Sequence, residues 1–497
     1  MELFLLVSVG YNVRMQNASN GARSAWPRLD ALLLVILVVA RIGIDTLAEA
    51  AVLPAHQEDV ARHPWLGRLL SGEAMSTLAQ QQFIDPVGLL LIVATLGCLL
   101  AYLLVHEFVA AERPRYWARL ILIWAIILLT VFASSAKLAL LRRESGPASY
   151  SHDGGVIQTE ATIDYLLQGR NPYVEDYVAT PMAEWGINEF RTALYHYPYL
   201  PWTFLFSAPF RLLADRTIGW YDQRFVYLFL FALTLLFAPG LARRTESKLL
   251  LVMIIGLNPI MGSDLIYGQN DSFVLAWVLF SLWLWSRGQQ GSPTGQEMSL
   301  DRAAGQGGVG KPNGWLWASA AAFGLACASK PTAWFLLPFY LLLLAGGDAR
   351  ELWRKPRAWL RRAWIRGWPA LAVAVLAIGP YLVWNPRAMF DDVWRWSNGT
   401  SETAYQIWGW GASNLLLAAG WVKSRFDYWP FWFPQLIIAL PLLVLLLRRQ
   451  AHENSPARAF WGYGLFLLAF FFFSRFLNEN YLGYVTAILA VGTLTDL

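Results

Sequence analysis

The sequence predicts an all-α protein that crosses a membrane many times, and three observations carry that expectation. Hydrophobic residues make up 56% of the 497 positions and the mean hydropathy is +0.39, more apolar surface than a soluble core hides. The apolar residues fall in runs that approach the roughly 20 residues needed to traverse a bilayer. Arginine and lysine gather in the short connections between those runs, the pattern that orients membrane helices.

In order, the runs are 29–49, 86–106, 117–138, 222–240, 248–263, 271–286, 314–328, 331–346, 367–384, 430–447, 459–474 and 480–495, which predicts a polytopic integral membrane protein of about 11–13 transmembrane helices. Placing the N-terminus in the cytoplasm puts Arg113, Arg115, Arg119, Arg243, Arg244, Lys248, the basic stretch 350–366, Arg448 and Arg449 in inner connections. Residues 1–28 then form a cytoplasmic N-terminal segment, 29–497 a single transmembrane domain, and the Gly- and Gln-rich 287–313 a flexible cytoplasmic linker. The C-terminus is expected to be cytoplasmic as well. The first long run lacks a small-residue cleavage pattern, so it is expected to remain as an anchor.

The opposite, extracytoplasmic face receives 50–85, 139–221, 262–270, the turn at Lys330, 385–429 and 475–479. Of these, 139–221 is the first large outer loop. Its segment 198–213 is apolar but interrupted by Pro198, Pro201 and Pro209, and reads as a helix dipping into the interface.

Composition excludes several classes. The net charge of +5 is explained by the orienting loops and requires no nucleic acid. Cys98 and Cys327 fall inside apolar runs without metal-ligand spacing, so neither a disulfide framework nor zinc is indicated. No glycine loop of the nucleotide-binding type and no D-x-D pair lies in the inner connections, which argues against a nucleotide-sugar donor. No grouping has the look of a divalent-cation site, so neither cofactor nor metal is expected.

Chemistry is expected where acids follow a run directly, because hydrocarbon tolerates ionised carboxylates poorly. Asp153, Glu160 and Asp164 do so, and 156–168 reads as a helix stopped by Gly169. An Asp before a helix is also an ordinary N-cap, and the two roles can coexist. Tyr195-His196-Tyr197-Pro198-Tyr199, Tyr267-Gly268-Gln269-Asn270-Asp271, Ser329-Lys330-Pro331 and the stretch 475–481 (RFLNENY) all sit at outer ends of predicted spans, and together suggest one cavity. Lys330 stands alone in an outer turn, where the orienting rule disfavours positive charge, although a snorkelling lysine is the plainer alternative. Gln269, Asn270 and Asp271 open a helix and serve equally as caps or as partners for sugar hydroxyls and phosphate. Six tryptophans in 385–429 fit a membrane belt better than a sugar platform. Arg41 and Asp45, four apart, read as a structural pair.

The order of these segments, an acid after a span, a helix ending in G-x-N-P-Y, then Y-x-Y-P, then N-P followed by G-Q-N-D-S, and K-P between two spans, resembles the GT-C superfamily of polyprenyl-phosphate-sugar-dependent glycosyltransferases. Within it, glycosyltransferase family 87, the mannosyltransferase-like group, is the nearest likeness, over about 117–495. The resemblance implies GT-C-like outer loops, an essential acid in the first large one, and mannose as the sugar. Asp153 stands at the matching position, with Glu160 as the fallback. The family generally presents that loop after its first span, whereas here two extra spans, 29–49 and 86–106, come before it.

The expected reaction is transfer of one sugar from a polyprenyl phosphate to an extracytoplasmic glycan, lipid or protein acceptor. The lipid phosphate is a good leaving group, so one base suffices, and Asp153 would deprotonate the acceptor hydroxyl as it attacks with inversion. Charge developing on the departing phosphate needs a cation or oriented donors. Lys330 is the first candidate, with His196, Arg475 and Arg170 after it and Tyr197 among the sugar-binding candidates. A prokaryotic plasma membrane is expected, because arginine far outnumbers lysine. The alternatives are a flippase or transporter of lipid-linked sugars, which would set charges deep in several spans, and a polysaccharide polymerase or ligase, which would move a chain.

Overall fold

The computed structural model describes residues 27–53, 56–69, 73–82, 84–185, 188–290, 314–346 and 354–497. Residues 1–26 of the expected N-terminal segment and 291–313 of the expected linker lie outside the described residues.

Every predicted run forms a helix. The helices used below are α1 (Pro27–Val52), α2 (His56–Arg62), α3 (Pro86–Phe108), α4 (Glu112–Ser145), α5 (Gln158–Leu167), α6 (Trp202–Thr217), α7 (Arg224–Leu241), α8 (Thr245–Gly256), α9 (Pro259–Tyr267), α10 (Asp271–Gln290), α11 (Gly314–Cys327), α12 (Pro331–Ala345), α13 (Pro356–Trp384), α14 (Trp432–His452), α15 (Pro456–Phe472) and α16 (Glu479–Leu494). By length and composition α1, α3, α4, α7, α13 and α14 can each cross a membrane alone, and α8 with α9 makes up to seven. The protein is an all-α polytopic membrane protein. Of the remaining runs, α11, α12, α15 and α16 form shorter helices and α10 has 20 residues; α10 packs on α11 and α15 on α16.

Two elements depart from the expected outline for clear reasons. The run 248–263 is a pair of helices bent by 46°, because Pro259 offers no amide hydrogen and Asn258 caps the second helix, accepting from the amides of Ile260 and Met261 at 3.2 Å each. The loop expected at 262–270 therefore shrinks to the turn after Tyr267. The expected pair on α1 clasps this bend: the fully buried Arg41 guanidinium bonds Asp45 at 2.5 Å and the Pro259 carbonyl at 2.6 Å. The second departure is α4, which at 34 residues outruns its prediction and carries Lys137 and Arg142 to its far end.

The segment 198–213 is helical as expected, α6 starting at Trp202 and carrying Pro209 within it. The segments expected to share the outer face do meet. The Leu200 and Trp202 amides bond the Ser329 and Ala328 carbonyls at 3.1 and 2.9 Å, and the His152 amide bonds the Tyr267 carbonyl at 2.7 Å. Farther along, Trp408–Gly409 pairs in parallel with Phe476–Leu477.

Candidate active site

The segment that bears Asp153 enters helix through a wide turn, Asp153–Ile157, before settling into α5. Gly169, at φ +73°, ends that helix as expected. Upstream, Tyr150 is the one non-glycine residue with positive φ among the described residues. It is held there by its carbonyl, which accepts from Arg224 at 2.9 Å, and by its hydroxyl, which donates to Asp59. The backbone of Asp153 is described, and its side chain is not.

Close backbone approach explains the paired glycines that follow. A Cβ at Gly155 would overlap the Gly268 carbonyl oxygen, and one at Gly154 would lie 2.8 Å from the Tyr199 hydroxyl. Gly268 itself adopts the left-handed conformation at φ +90°, its amide and that of Gln269 both bonding the Asp264 carbonyl, at 2.7 and 2.6 Å. Asp153 therefore starts a turn wedged against the backbone that delivers Gln269, Asn270 and Asp271.

One ion pair organises the far side of this wedge. Lys330 Nζ donates to Asp271 Oδ1 at 2.7 Å and to Asn270 Oδ1 at 3.3 Å. The Asn480 amide donates to the other Asp271 oxygen. Rings flank the ammonium, Tyr481 at 4.9 Å and Tyr199 at 5.7 Å from its nitrogen, close enough for cation–π attraction. The Tyr199 ring thus touches the Gly154 turn at its hydroxyl and Lys330 with its face. Asp271 and Lys330 are 1% and 9% exposed at their side chains. An unpaired charge so placed would be costly, and pairing removes most of that cost. An ammonium has three donors, and two are used here among the described residues.

Asn480, Tyr199 and Tyr481 were not among the expected site residues, although the motifs containing them were. Asp264 was not expected either. It is buried on α9, and its Oδ2 has no hydrogen-bond partner among the described residues.

The other candidates lie elsewhere. Both Glu160 oxygens are bonded to Arg142, at 2.8 and 2.7 Å, and one also accepts the Gln223 amide at 2.8 Å. Arg142 continues to Asp222, which pairs with the fully buried Arg224 at 2.7 Å. Glu160 thus belongs to a buried network fastening α4 to the start of α7. His196 reaches away from Lys330: Nδ1 lies 2.8 Å from Asp392 Oδ1 and Nε2 lies 2.6 Å from the Thr403 hydroxyl. Burial pushes the Asp392 carboxyl up to about 6, against the lowering effect of its bonds from His196 and the Tyr197 amide. Tyr197 is fully buried among Tyr173, Tyr177 and Phe204.

Arg475 spends its guanidinium on the carbonyls of Tyr405, Asp427 and Arg425, at 2.6, 2.8 and 3.1 Å. It ties down the loop between α13 and α14. Arg170 pairs with Glu175 and lies over the Tyr165 ring at 4.5 Å, half exposed. Of the loop tryptophans, Trp394, Trp410 and Trp421 are 51–68% exposed, as a belt requires, while Trp396 is buried against His196.

What converges is therefore an acid-bearing turn, a buried lysine held by Asp271 and Asn270 with Asn480 on the other aspartate oxygen, and two tyrosine faces at the N-terminus of α10, where backbone amides favour anions. Residues 164–346 match the family model described as alpha-(1->6)-mannopyranosyltransferase, N-terminal domain. The matched stretch contains Tyr199, Asn270, Asp271 and Lys330 and begins after Asp153 and Glu160. No curated protein matches the chain. The family match supports a glycosyltransferase of the mannosyltransferase kind, similar to the GT-C membrane enzymes that the motifs resemble.

Proposed function

We propose that this membrane glycosyltransferase moves a single mannose from a polyprenyl-phosphate donor to an extracytoplasmic acceptor, with inversion. The observation that carries the reading is the Lys330–Asp271–Asn480 cluster, set one tyrosine ring away from the turn that begins at Asp153.

Asp153 accepts the proton of the acceptor hydroxyl while that oxygen attacks the anomeric carbon from the side opposite the phosphate. The C–O bond to the phosphate breaks, and its electron pair leaves with the polyprenyl phosphate. No acid is required on the leaving side. Lys330 supplies positive charge to the departing phosphate through its remaining donor, and the first amides of α10 add oriented dipoles. Asp271 and Asn270 hold the ammonium in place, and Asn480 orients Asp271. Tyr199 separates the two poles and offers a face on which a sugar ring can stack. The donor enters laterally from the bilayer, so a soluble nucleotide-binding domain is not needed.

The test is release of polyprenyl phosphate from a panel of polyprenyl-phosphate sugars by purified protein with membrane-extract acceptors, comparing wild type with Asp153→Asn at equal folding. Turnover by wild type with the mannose donor, lost in the variant, supports the reading. Equal turnover in both removes Asp153 from the role of base. Activity on the donor without sugar transfer, read as movement across vesicles, would favour the flippase alternative.

A further inference from the structure

A second polar cluster lies outside this site, built by α1, α2 and the start of α3 against the end of α4. Lys137 on α4 donates to both oxygens of Glu49 on α1 at 2.8 Å and to Asp85 Oδ2, at the start of α3, at 2.6 Å. His56, the first residue of α2, closes the cluster with Nε2 at 3.8 Å from Glu49 Oε2. All four are buried, between 0 and 9% exposed. Asp85 also caps α3 through the Gly88 amide at 2.8 Å, so its position is fixed.

The charges do not balance with a neutral histidine: two carboxylates face one ammonium, since the nearby Asp45 is matched by Arg41. His56 sharpens the imbalance. Its Nδ1 lies 2.5 Å from the Leu53 carbonyl, which can only accept, so Nδ1 bears the hydrogen and the neutral ring aims the Nε2 lone pair at a carboxylate. That nitrogen has no hydrogen-bond partner among the described residues. A lone pair facing an anion in a buried site is repulsive, and a cation bound between them removes the repulsion. The arrangement of Nδ1 on a backbone carbonyl and Nε2 directed inward is also the one by which protein structure orients histidine ligands. Ligand atoms of Glu49, His56 and Asp85 all fall within 4.8 Å of one another.

We propose that Glu49, His56 and Asp85 form a divalent-cation site of the zinc class, with Lys137 as a built-in competitor for the same oxygens. One nitrogen and two carboxylates suit such a metal, with bonds of about 2.0–2.2 Å. Beside Glu49 and Lys137 opens a small cavity of about 40 Å³ that is also lined by Thr46, Thr95, Thr130 and Ser134, room for water to complete the coordination. The metal would staple α1, α2 and α3 onto the end of α4, from which the chain runs directly to Tyr150 and Asp153. The sequence offered no hint of it, since the three ligands come from separate elements.

The test uses the full chain in detergent, stripped with chelator and dialysed against zinc chloride, with bound metal counted by mass spectrometry and thermal unfolding followed with and without zinc. The expected result is one zinc per chain and a raised unfolding midpoint, both lost in His56→Ala. Lys137→Met, which removes the competitor, should hold zinc about tenfold or more tightly. If wild type retains no stoichiometric zinc, or if His56→Ala binds and is stabilised equally, the proposal is overturned and the missing positive charge is a proton on His56. Should His56→Ala fail to fold, Lys137→Met still decides: zinc affinity no greater than wild type refutes the shared site.

Discussion

Replacing Lys330 by methionine separates two roles that one ion pair could play. The pair is 2.7 Å long with side chains 9% and 1% exposed. Removing only the lysine leaves Asp271 charged and buried, supported by Asn480, which should cost about 3–5 kcal/mol of stability. Asp271→Asn removes the second charge while keeping an acceptor for Asn480, so the double variant should recover nearly all of that loss, since apolar replacements of buried pairs are often close to neutral. Turnover should follow a different course. If Lys330 stabilises the departing phosphate, its loss costs about 100- to 1,000-fold in kcat, and neutralising Asp271 cannot restore it. The measurement is thermal unfolding in detergent alongside release of polyprenyl phosphate at saturating donor, for both single variants and the double. A double variant that regains stability and turnover together would refute the reasoning and make Lys330 purely structural.

Other outcomes follow from the same geometry. Asp153→Asn should lower turnover by about 100- to 10,000-fold, the range for a general base, with the unfolding midpoint unchanged; a midpoint that falls in parallel would mark a cap and not a base. Glu160→Gln should act chiefly on stability, by about 3–5 kcal/mol, because it leaves Arg142 underpaired in a buried network; unfolding curves equal to wild type would contradict that. Gly155→Ala should destabilise by about 1–3 kcal/mol through overlap with the Gly268 carbonyl, and a crystal or cryo-EM structure showing the turn unmoved would refute the contact. Asp392 has its folded pKa raised from 3.8 to about 6, so its contribution is fully present below about pH 4 and is lost as pH rises through 6, up to about 3 kcal/mol. Wild type should therefore lose stability relative to Asp392→Asn between pH 4 and 7; parallel unfolding midpoints across that range would remove the effect.

How much could be read from residues alone depended on distance along the chain. Spans were legible because a bilayer sets one length and one composition, and each predicted run is helical. Asn270, Asp271 and Lys330 were legible because sidedness places turns 60 residues apart in sequence at one end of the bundle. Partners were not. Nothing near His196 signals that it binds Asp392, 196 positions away, and Glu160 gives no sign that Arg142 and Asp222 will enclose it. The bend at Asn258 was hidden because an Asn-Pro pair inside an apolar run leaves the hydropathy unbroken. Arg475 stood in a polar motif like those around Lys330, yet its three bonds go to backbone carbonyls, which carry no side-chain signature.

The short central helices have a consequence for depth. α11 has 14 residues, about 21 Å of helix against a hydrocarbon slab of about 30 Å, whereas the outlying α13 has 29 and spans the slab with length to spare. Lys330 follows the end of α11 by three residues, so where α11 starts at one membrane surface the lysine would lie short of the other, and under the proposed reaction the donor phosphate would dip below head-group level to meet it.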